Sequence, residues 1–502
     1  MKILTIEQTR AADAYTIKHE PIRSVDLMER AANQCAKWVM KKYDKTLPFS
    51  IFCGVGNNGG DGLVIARLLK KEGYDVTVFV VKFSDNYSDD FKANLNRLKE
   101  VGIEPIYLNQ DENGFNLPDN SIVVDAIFGS GLSKPIGGFI AEIVSKINDA
   151  NNTTIAIDMP SGLFSESNID NDKEAIIQAN YTLTFQQPKL AMLFPENYDY
   201  VGDFEILDIG LHPQYLKEVK SNKTYFTKTI AQSILHNRQK FSHKGSYGHA
   251  LLIAGSKGKM GAAVLSAKAC LRSGVGLLTT YLPKIGIEIM QTSVPEAMCL
   301  ESSGSDFIEG IPKLDAYSVV GIGPGLGKEE ETQKALKLLI QTVNSPLVID
   351  ADALNILSEN KTWLAFLPQG SILTPHPKEF ERLVGKWSND EERLELQQEF
   401  SYVNSVYVVL KGANTSITCP EKEIFFNSSG NAGMATGGSG DVLTGILTGL
   451  LAQGYQPKDA ALLGVYLHGV AGDIAKENLD ENAMIAGDIL QYLPMAFGWL
   501  KN

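Results

Sequence analysis

Residues 54–73, GVGNNGGDGLVIARLLKKEG, set glycines at Gly54-x-Gly56-x-x-Gly59 and pack Asn57, Asn58, Gly60 and Asp61 around them. Bare backbone at that spacing admits a phosphate, and the amides of Gly59 and Gly60 at a helix amino terminus would hold it. A standard dinucleotide site also wants an acid at the end of the next strand, about 20 residues on, for the ribose. The run DVTVFVV ends instead in Lys82 and Phe83, with Asp85 late. The glycines alone therefore leave open a NAD site, another phosphate loop or a tight turn. Asn58, Asp125 and Ser161 offer oxygen atoms with one formal negative charge among them, which suits a weakly held monovalent cation better than zinc. Each taken singly also reads as a helix or turn cap. Asp158, a carboxylate at a strand end beside the phosphate loop, is the candidate for proton transfer, worth about 10²- to 10⁴-fold in rate.

A second constellation lies at residues 431–449, NAGMATGGSGDVLTGILTG. Gly437, Gly438 and Gly440 leave the amides of a turn open to an anion, and Asp441 stands in the first turn of the helix that follows. A cap explains the acid but not the run of glycines. Amides there would steady a transferring phosphoryl group while Asp441 accepts the proton of the attacking hydroxyl. No Gly-Lys pair is followed by Ser or Thr, so there is no P-loop, and there is no G-x-S-x-G elbow. His376, between Pro375 and Pro377, reads equally as a rigid-turn residue, Lys411 as a solvated charge at a strand end, and His243 and His468 as structural or surface residues.

These groups need a scaffold that turns strand ends into sites. Short β-branched runs (FSIFCG, SIVVDAIFG, TTIAIDMPSG, then HALLIAG, PLVIDAD, VYVVLKG) alternate with amphipathic stretches along the chain, which predicts parallel sheets covered by helices. Ligands then bind outside the carboxyl ends of the strands. The 502 residues exceed the size of one growing core, and the pattern turns polar near residues 215–225, where a linker is expected. A net charge of -13 argues against nucleic acid or an anionic membrane as partner. Cys35, Cys53, Cys270, Cys299 and Cys419 show no zinc or redox spacing and read as buried thiols of a reducing compartment. The amino terminus places charges where a signal peptide would be apolar, and no run is long enough to span a bilayer, so a cytoplasmic location is expected.

Taken together, GVGNNGGDGLVIARLL, VVDAIFGSGLSKPIGG, IDMPSGL and TFQQPKLAM resemble the NAD(P)H-hydrate epimerase domain. The resemblance implies a Rossmann-like three-layer α/β domain over residues 1–220. It would bind hydrated NADH or NADPH (NADHX, NADPHX) and interconvert the epimers at carbon 6 of the nicotinamide ring. It also implies substrate contacts at Asn57, Asn58, Gly59, Gly60 and Asp61, and at Gly129, Ser130, Gly131, Leu132, Ser133, Lys134 and Pro135. Potassium would lie on Asn58, Asp125 and Ser161, with Asp158 at the reacting ring. The motifs GIGPGLG, VIDADALNIL, LTPHPKEFERLVG, VVLKGANTSI and GGSGDVLTGI, with the glycine-rich segment after HALLIAG, look like the ADP-dependent NAD(P)H-hydrate dehydratase domain. That resemblance implies a ribokinase-like α/β fold over residues 225–502, with substrate contacts at Ala263, Gly325, His376 and Asp441. Contacts to the AMP moiety would come from Lys411, Gly412, Ala413, Asn414, Thr415 and Gly440. The hydroxyl at carbon 6 would be phosphorylated and expelled as phosphate, with ADP as co-substrate and magnesium accompanying it. A kinase of a small molecule using ATP, with a non-catalytic first domain, is the alternative, since the ribokinase-like fold hosts such functions too. Glycine-rich α/β enzymes of this size often self-associate, which leaves a homo-oligomer open.

Overall fold

Runs such as Phe49–Cys53 and Val76–Val81 are apolar at nearly every position, so they cannot alternate a wet and a dry face and must lie between two layers. The computed structural model, which describes residues 1–501, buries them in this way. The chain divides into two compact units, Met1–Ser221 and a second beginning at Asn222.

The first unit holds seven strands: β1 (Phe49–Cys53), β2 (Val76–Val81), β3 (Ile106–Leu108), β4 (Ile122–Ala126), β5 (Thr154–Ile157), β6 (Tyr181–Phe185) and β7 (Asp203–Leu207). They pair in the order β3-β2-β1-β4-β5-β6-β7, all parallel. This is the Rossmann-like arrangement, and its direction of winding reverses between β1 and β4, which opens a crevice at their carboxyl ends. The helix Asn57–Lys71 leaves that crevice pressed against the strands. A Cβ on Gly59 would lie 1.8 Å from the carbonyl oxygen of Gly54, and one on Gly54 would lie 2.0 Å from that of Ile127. Close approach of backbones, rather than unusual dihedrals, is what demands these two glycines.

The second unit adds β8 (Lys223–Phe226), β9 (His249–Ile253), β10 (Leu277–Leu282), β11 (Met298–Glu301), β12 (Val319–Ile322), β13 (Leu347–Ile349), β14 (Ile372–Leu373), β15 (Tyr407–Leu410), β16 (Ser416–Thr418) and β17 (Ile424–Asn427). Their order is β11-β10-β9-β12-β13-β14-β15-β16-β17-β8, with helices packed on the sheet in the ribokinase-like manner. The alternating pattern predicts a parallel sheet throughout, whereas β15-β16 and β16-β17 are antiparallel. Residues 411–415 and 419–423 that join them are too short for a parallel crossover, which takes a dozen or more. The helix Ser439–Ala452 is buried nearly all round and crosses Met260–Arg272 so closely that a Cβ on Gly445 would meet the Ser266 carbonyl oxygen at 2.1 Å.

The stretch expected as a linker is mostly regular. Pro213–Glu218 is a helix of the first unit, and β8 pairs with β17 as an edge of the second sheet, burying Phe226. Its polar neighbours conceal a strand with few apolar residues. All the cysteines are free, but Cys299, expected buried, is half-exposed on the edge strand β11. Among the described residues no helix is long and apolar enough to cross a membrane.

Candidate active sites

In the first unit the ends of β1, β4 and β5 bring three segments together. The helix Asn57–Lys71 begins after Gly56 with no side-chain cap, so the amides of Asn57, Asn58 and Gly59 have no acceptor among the described residues. Gly60 departs from expectation: its amide already donates to the carbonyl of Gly56 at 3.1 Å, because the helix starts at Asn57 and its first internal bond falls there. The space on Gly60 is taken by Met28, whose sulfur a Cβ would approach to 2.7 Å. Asn58 lies against Gly129, and its amide nitrogen is buried without a partner.

Asp125, wholly buried in β4, accepts from the Ser161 amide (2.7 Å), the Ser161 hydroxyl (2.6 Å) and the Ile127 amide (3.2 Å). Burial pushes its carboxyl up to about 6 against these bonds, for no cation faces it. The Ser161 hydroxyl also lies 3.2 Å from the Phe128 carbonyl oxygen.

Asp158 follows β5 in left-handed backbone, φ 65°, a conformation in which a non-glycine residue is strained. One carboxylate oxygen is paired with the ammonium of Lys189, and the other accepts the Ser130 amide at 3.1 Å. Burial opposes its ionisation, but Lys189 and these bonds outweigh burial and hold it below the usual carboxylate range. Asp61 is buried in the same region, and desolvation together with Asp158, Asp13 and Asp90 lifts its carboxyl well above that range. Asp13, on the helix Ile6–His19, is pushed up to about 6 by burial and by Asp158. The crevice thus holds one ionised carboxylate beside carboxyls that resist ionisation. The loop carrying Gly131, Ser133, Lys134 and Pro135 is exposed at its mouth, with Leu132 half-buried and Arg10 beside Gly131.

In the second unit the ends of β12, β13 and β15 converge on the amino terminus of Ser439–Ala452. Gly438 caps that helix in left-handed backbone, φ 94°, leaving the amides of Gly440 and Asp441 without an acceptor. A Cβ on Gly440 would lie 3.3 Å from Nζ of Lys411 and 3.6 Å from Oδ2 of Asp350. Lys411 donates to Oδ1 of Asp350 (2.9 Å), Thr444 donates to Oδ2 (2.8 Å), and Glu379 stands 4.0 Å from the ammonium. Lys411 is therefore a half-buried ion-pair partner rather than a solvated charge. The carboxylate of Asp441 takes no hydrogen bond from a described residue, and burial, then Asp350 and Asp352, push it up to about 6 against Lys411.

Gly325, in left-handed backbone at φ 59°, lies against Lys259 and Ala262 in a loop where the Gly327 amide donates to the Asp352 carboxylate (2.9 Å). Ala263 is fully enclosed in the helix Met260–Arg272, whose Ser266 hydroxyl donates to the Asp441 carbonyl at 2.9 Å, so it supports the site through packing. His376 caps the helix Pro377–Val384, its Nδ1 accepting from the amides of Lys378 and Glu379. It fills the rigid-turn role its neighbouring prolines imply, with Nε2 left toward Glu379. Gly412 and Ala413 form an exposed hairpin tip, Asn414 is half-buried, and Thr415 donates back to the Gly412 carbonyl at 2.9 Å. His468 is buried, which lowers its pKa to about 4 against the opposing effect of its hydrogen bond to the Ser439 carbonyl. Lys189, Asp350 and Thr444 are site residues that sequence reasoning passed over, although they stand inside TFQQPKLAM, VIDADALNIL and GGSGDVLTGI.

A Rossmann-like crevice with a strained carboxylate, followed by a ribokinase-like anion loop with a free one, defines a two-centre enzyme of nucleotide chemistry. Residues 24–191 match the family described as YjeF-related protein N-terminus, and residues 250–495 match NAD(P)H-hydrate dehydratase. The chain is 36% identical to a bifunctional NAD(P)H-hydrate repair enzyme of Moorella thermoacetica, covering 98% of this chain and 96% of that one. It is 33% identical to another of Thermofilum pendens, over 100% and 97%. A solved ribokinase-like superfamily protein of Enterococcus faecalis superposes with a TM-score of 0.50 at 29% identity, covering 57% of this chain and 99% of that one. The chain belongs to the family of bifunctional NAD(P)H-hydrate repair enzymes. A kinase with a silent first domain is not favoured, because the match to these repair enzymes runs through both units.

Proposed function

We propose that the first unit epimerises R and S NAD(P)H hydrates and that the second dehydrates the S form to NAD(P)H, converting ADP to AMP and phosphate. The observation that carries this reading is the presence of both centres in one chain. An anion loop with an unpaired carboxylate can phosphorylate a hydroxyl of one configuration, and the other epimer then needs a route to it.

In the second unit the amides of Gly440 and Asp441 and the ammonium of Lys411 would face the phosphoryl group, and Asp441 would take the proton of the carbon 6 hydroxyl. Phosphate then leaves where hydroxide could not. Gly325 and His376 would line the hydrate, and Gly412, Ala413, Asn414 and Thr415 the AMP moiety. Asp350 is already engaged by Lys411 and Thr444, and Asp352 by Lys259 and the Gly327 amide. Magnesium would therefore be held chiefly by the nucleotide phosphates and water, as is common for this ion.

In the first unit the amides of Asn57, Asn58 and Gly59 would meet phosphate, and the loop from Gly129 to Pro135 the rest of the hydrate. Potassium fits the donors present. Asp125 is a buried carboxylate without a cation, and Asn58 has a buried amide end without a partner, which rotation can exchange for its oxygen. Asn58, Asp125 and Ser161 would hold the ion, whose charge would steady the loop ends around the substrate.

The test follows reduced-nicotinamide absorbance as the protein, magnesium and ADP act on mixed R and S NADH hydrates, beside runs with ATP and with Asp158→Ala. Full recovery with ADP, dropping to the S fraction plus slow spontaneous epimerisation in the variant, is the expected result. No recovery with either nucleotide would overturn the reading.

A further inference from the structure

Lys189 stands just beyond β6, buried, with its ammonium directed across to the end of β5. An ammonium has three N–H groups. Here they meet three acceptors: the Asp158 carboxylate, the Thr184 hydroxyl at 2.7 Å and the Phe185 carbonyl at 3.4 Å. None is left for a ligand. Asp158 is fastened in turn, because its other oxygen takes the Ser130 amide and its backbone is held in left-handed space. Gln186, between Thr184 and Lys189, is left-handed as well, φ 62°, so the strained backbone lies on both sides of the ion pair. The other groups coupled to this carboxylate are acidic or neutral: Asp13 on Ile6–His19, Asp61 on Asn57–Lys71 and the Cys35 thiol on Ser24–Lys42.

We propose that Lys189 is a positioning residue for epimerisation, holding Asp158 ionised and turned so that its Ser130-bonded oxygen keeps a lone pair for the reacting ring. The inference rests on the epimerase reading of this unit. Carbon 6 carries both a hydroxyl and the ring nitrogen. When the hydroxyl leaves as water, the C–O bond breaks, a proton from an acid or solvent joins the departing oxygen, and the nitrogen lone pair forms a C=N bond. Water then adds to the opposite face, its oxygen forming the new C–O bond while the C=N π pair returns to nitrogen. Its surplus proton goes to the Asp158 carboxylate and then to solvent. The sum is a change of configuration with no oxidant or reductant. A carboxylate that lost Lys189 among these acidic neighbours would hold a proton near neutrality and could not accept another.

The test measures epimerisation of R NADH hydrate by the full chain from pH 5 to 9, for wild type, Lys189→Met, Lys189→Arg and Thr184→Val. Circular-dichroism melts of the same samples report the folding of the first unit, and dehydration of purified S hydrate is the control for the second. Lys189→Met is expected to lower kcat by roughly 10²-fold with KM little changed, and to move the acidic limb of the profile upward by about one pH unit or more. Lys189→Arg should restore much of the rate and return the limb. A Lys189→Met protein with wild-type kcat and limb, or with only a raised KM, would overturn the assignment. Should that variant not fold, Thr184→Val decides, a lower kcat at unchanged KM supporting the role and an unchanged kcat refuting it. A wild-type chain that dehydrates S hydrate yet never epimerises overturns the functional reading of this unit and the assignment with it.

Discussion

Single side chains in this protein do chemistry according to what leaves them unpaired. Asp350 and Asp441 stand around the same glycine loop, yet the first is engaged by Lys411 and Thr444 while the carboxylate of the second takes no hydrogen bond among the described residues and is pushed up to about 6 by burial and by Asp350. A proton acceptor must be ionised to act, so its fraction in the active form falls as pH drops through that value. The kcat/KM for dehydration, which reports groups of the free enzyme, is accordingly expected to halve near pH 6 and to fall about tenfold for each further unit. Asp441→Asn should lower the rate by about 10²- to 10⁴-fold at every pH and leave epimerisation untouched. Initial rates of NADH formation read both, and a profile flat from pH 5 to 7 would remove Asp441 from the role. The ends of β4 and β5 could be read as meeting from topology, and there Ser161 bonds Asp125. Lys189 and Asp350 could not be recognised in this way. A charge just past a strand end looks solvated until a distant segment pairs with it, as Asp158 does with Lys189 and Lys411 with Asp350.

Helices and strands set how far such groups can move. Gly59 in the helix Asn57–Lys71 and Gly437 before Ser439–Ala452 look alike in sequence, but a Cβ meets backbone at 1.8 Å in the first case and nothing within 4 Å in the second. Gly59→Ala should therefore cost about 1–3 kcal/mol or more through forced separation of helix and strand, and Gly437→Ala little. Denaturant melts of the two variants would show it, and equal midpoints would contradict it. Glycine spacing does not reveal that the helix starts at Asn57 and engages the Gly60 amide with the Gly56 carbonyl, which leaves the amides before it to face an anion.

His468 ties the long helix Pro457–Asn478 to Ser439, and burial lowers its pKa to about 4 from 6.5. The unfolded chain takes up a proton below pH 6.5 that the folded one refuses until about 4, so this stability is whole above pH 6.5 and lost as pH falls toward 4. The loss amounts to about 3 kcal/mol. Asp441, raised in the folded state, acts in the opposite sense over the same range, so the effect must be read as a difference. Between pH 6.5 and 4, His468→Gln should lose about 3 kcal/mol less unfolding free energy than wild type, and parallel curves would refute it.

At the scale of the molecule, the alternation of strand and helix made two α/β units legible, because each parallel crossover leaves a helix between strands. The edge of the second sheet was not legible. β8 has four residues, of which Lys223 and Thr224 are half-exposed, so composition marks it as linker although Phe226 is buried beside β17. The position of the boundary has a consequence for dissection. A chain beginning at Asn222 keeps β8 and all ten strands of its sheet, whereas one beginning at Lys228 leaves β17 as an unpaired edge, exposing Phe425 and Phe426 to further strand pairing. The fragment from Asn222 is expected to dehydrate S hydrate at close to the full-chain rate and to leave the R form unused. The fragment from Lys228 is expected to aggregate or melt earlier. Light scattering and dehydration assays of the two fragments separate these outcomes. If the shorter fragment matched the longer in both, β8 would be dispensable and the boundary of the working dehydratase would lie beyond it.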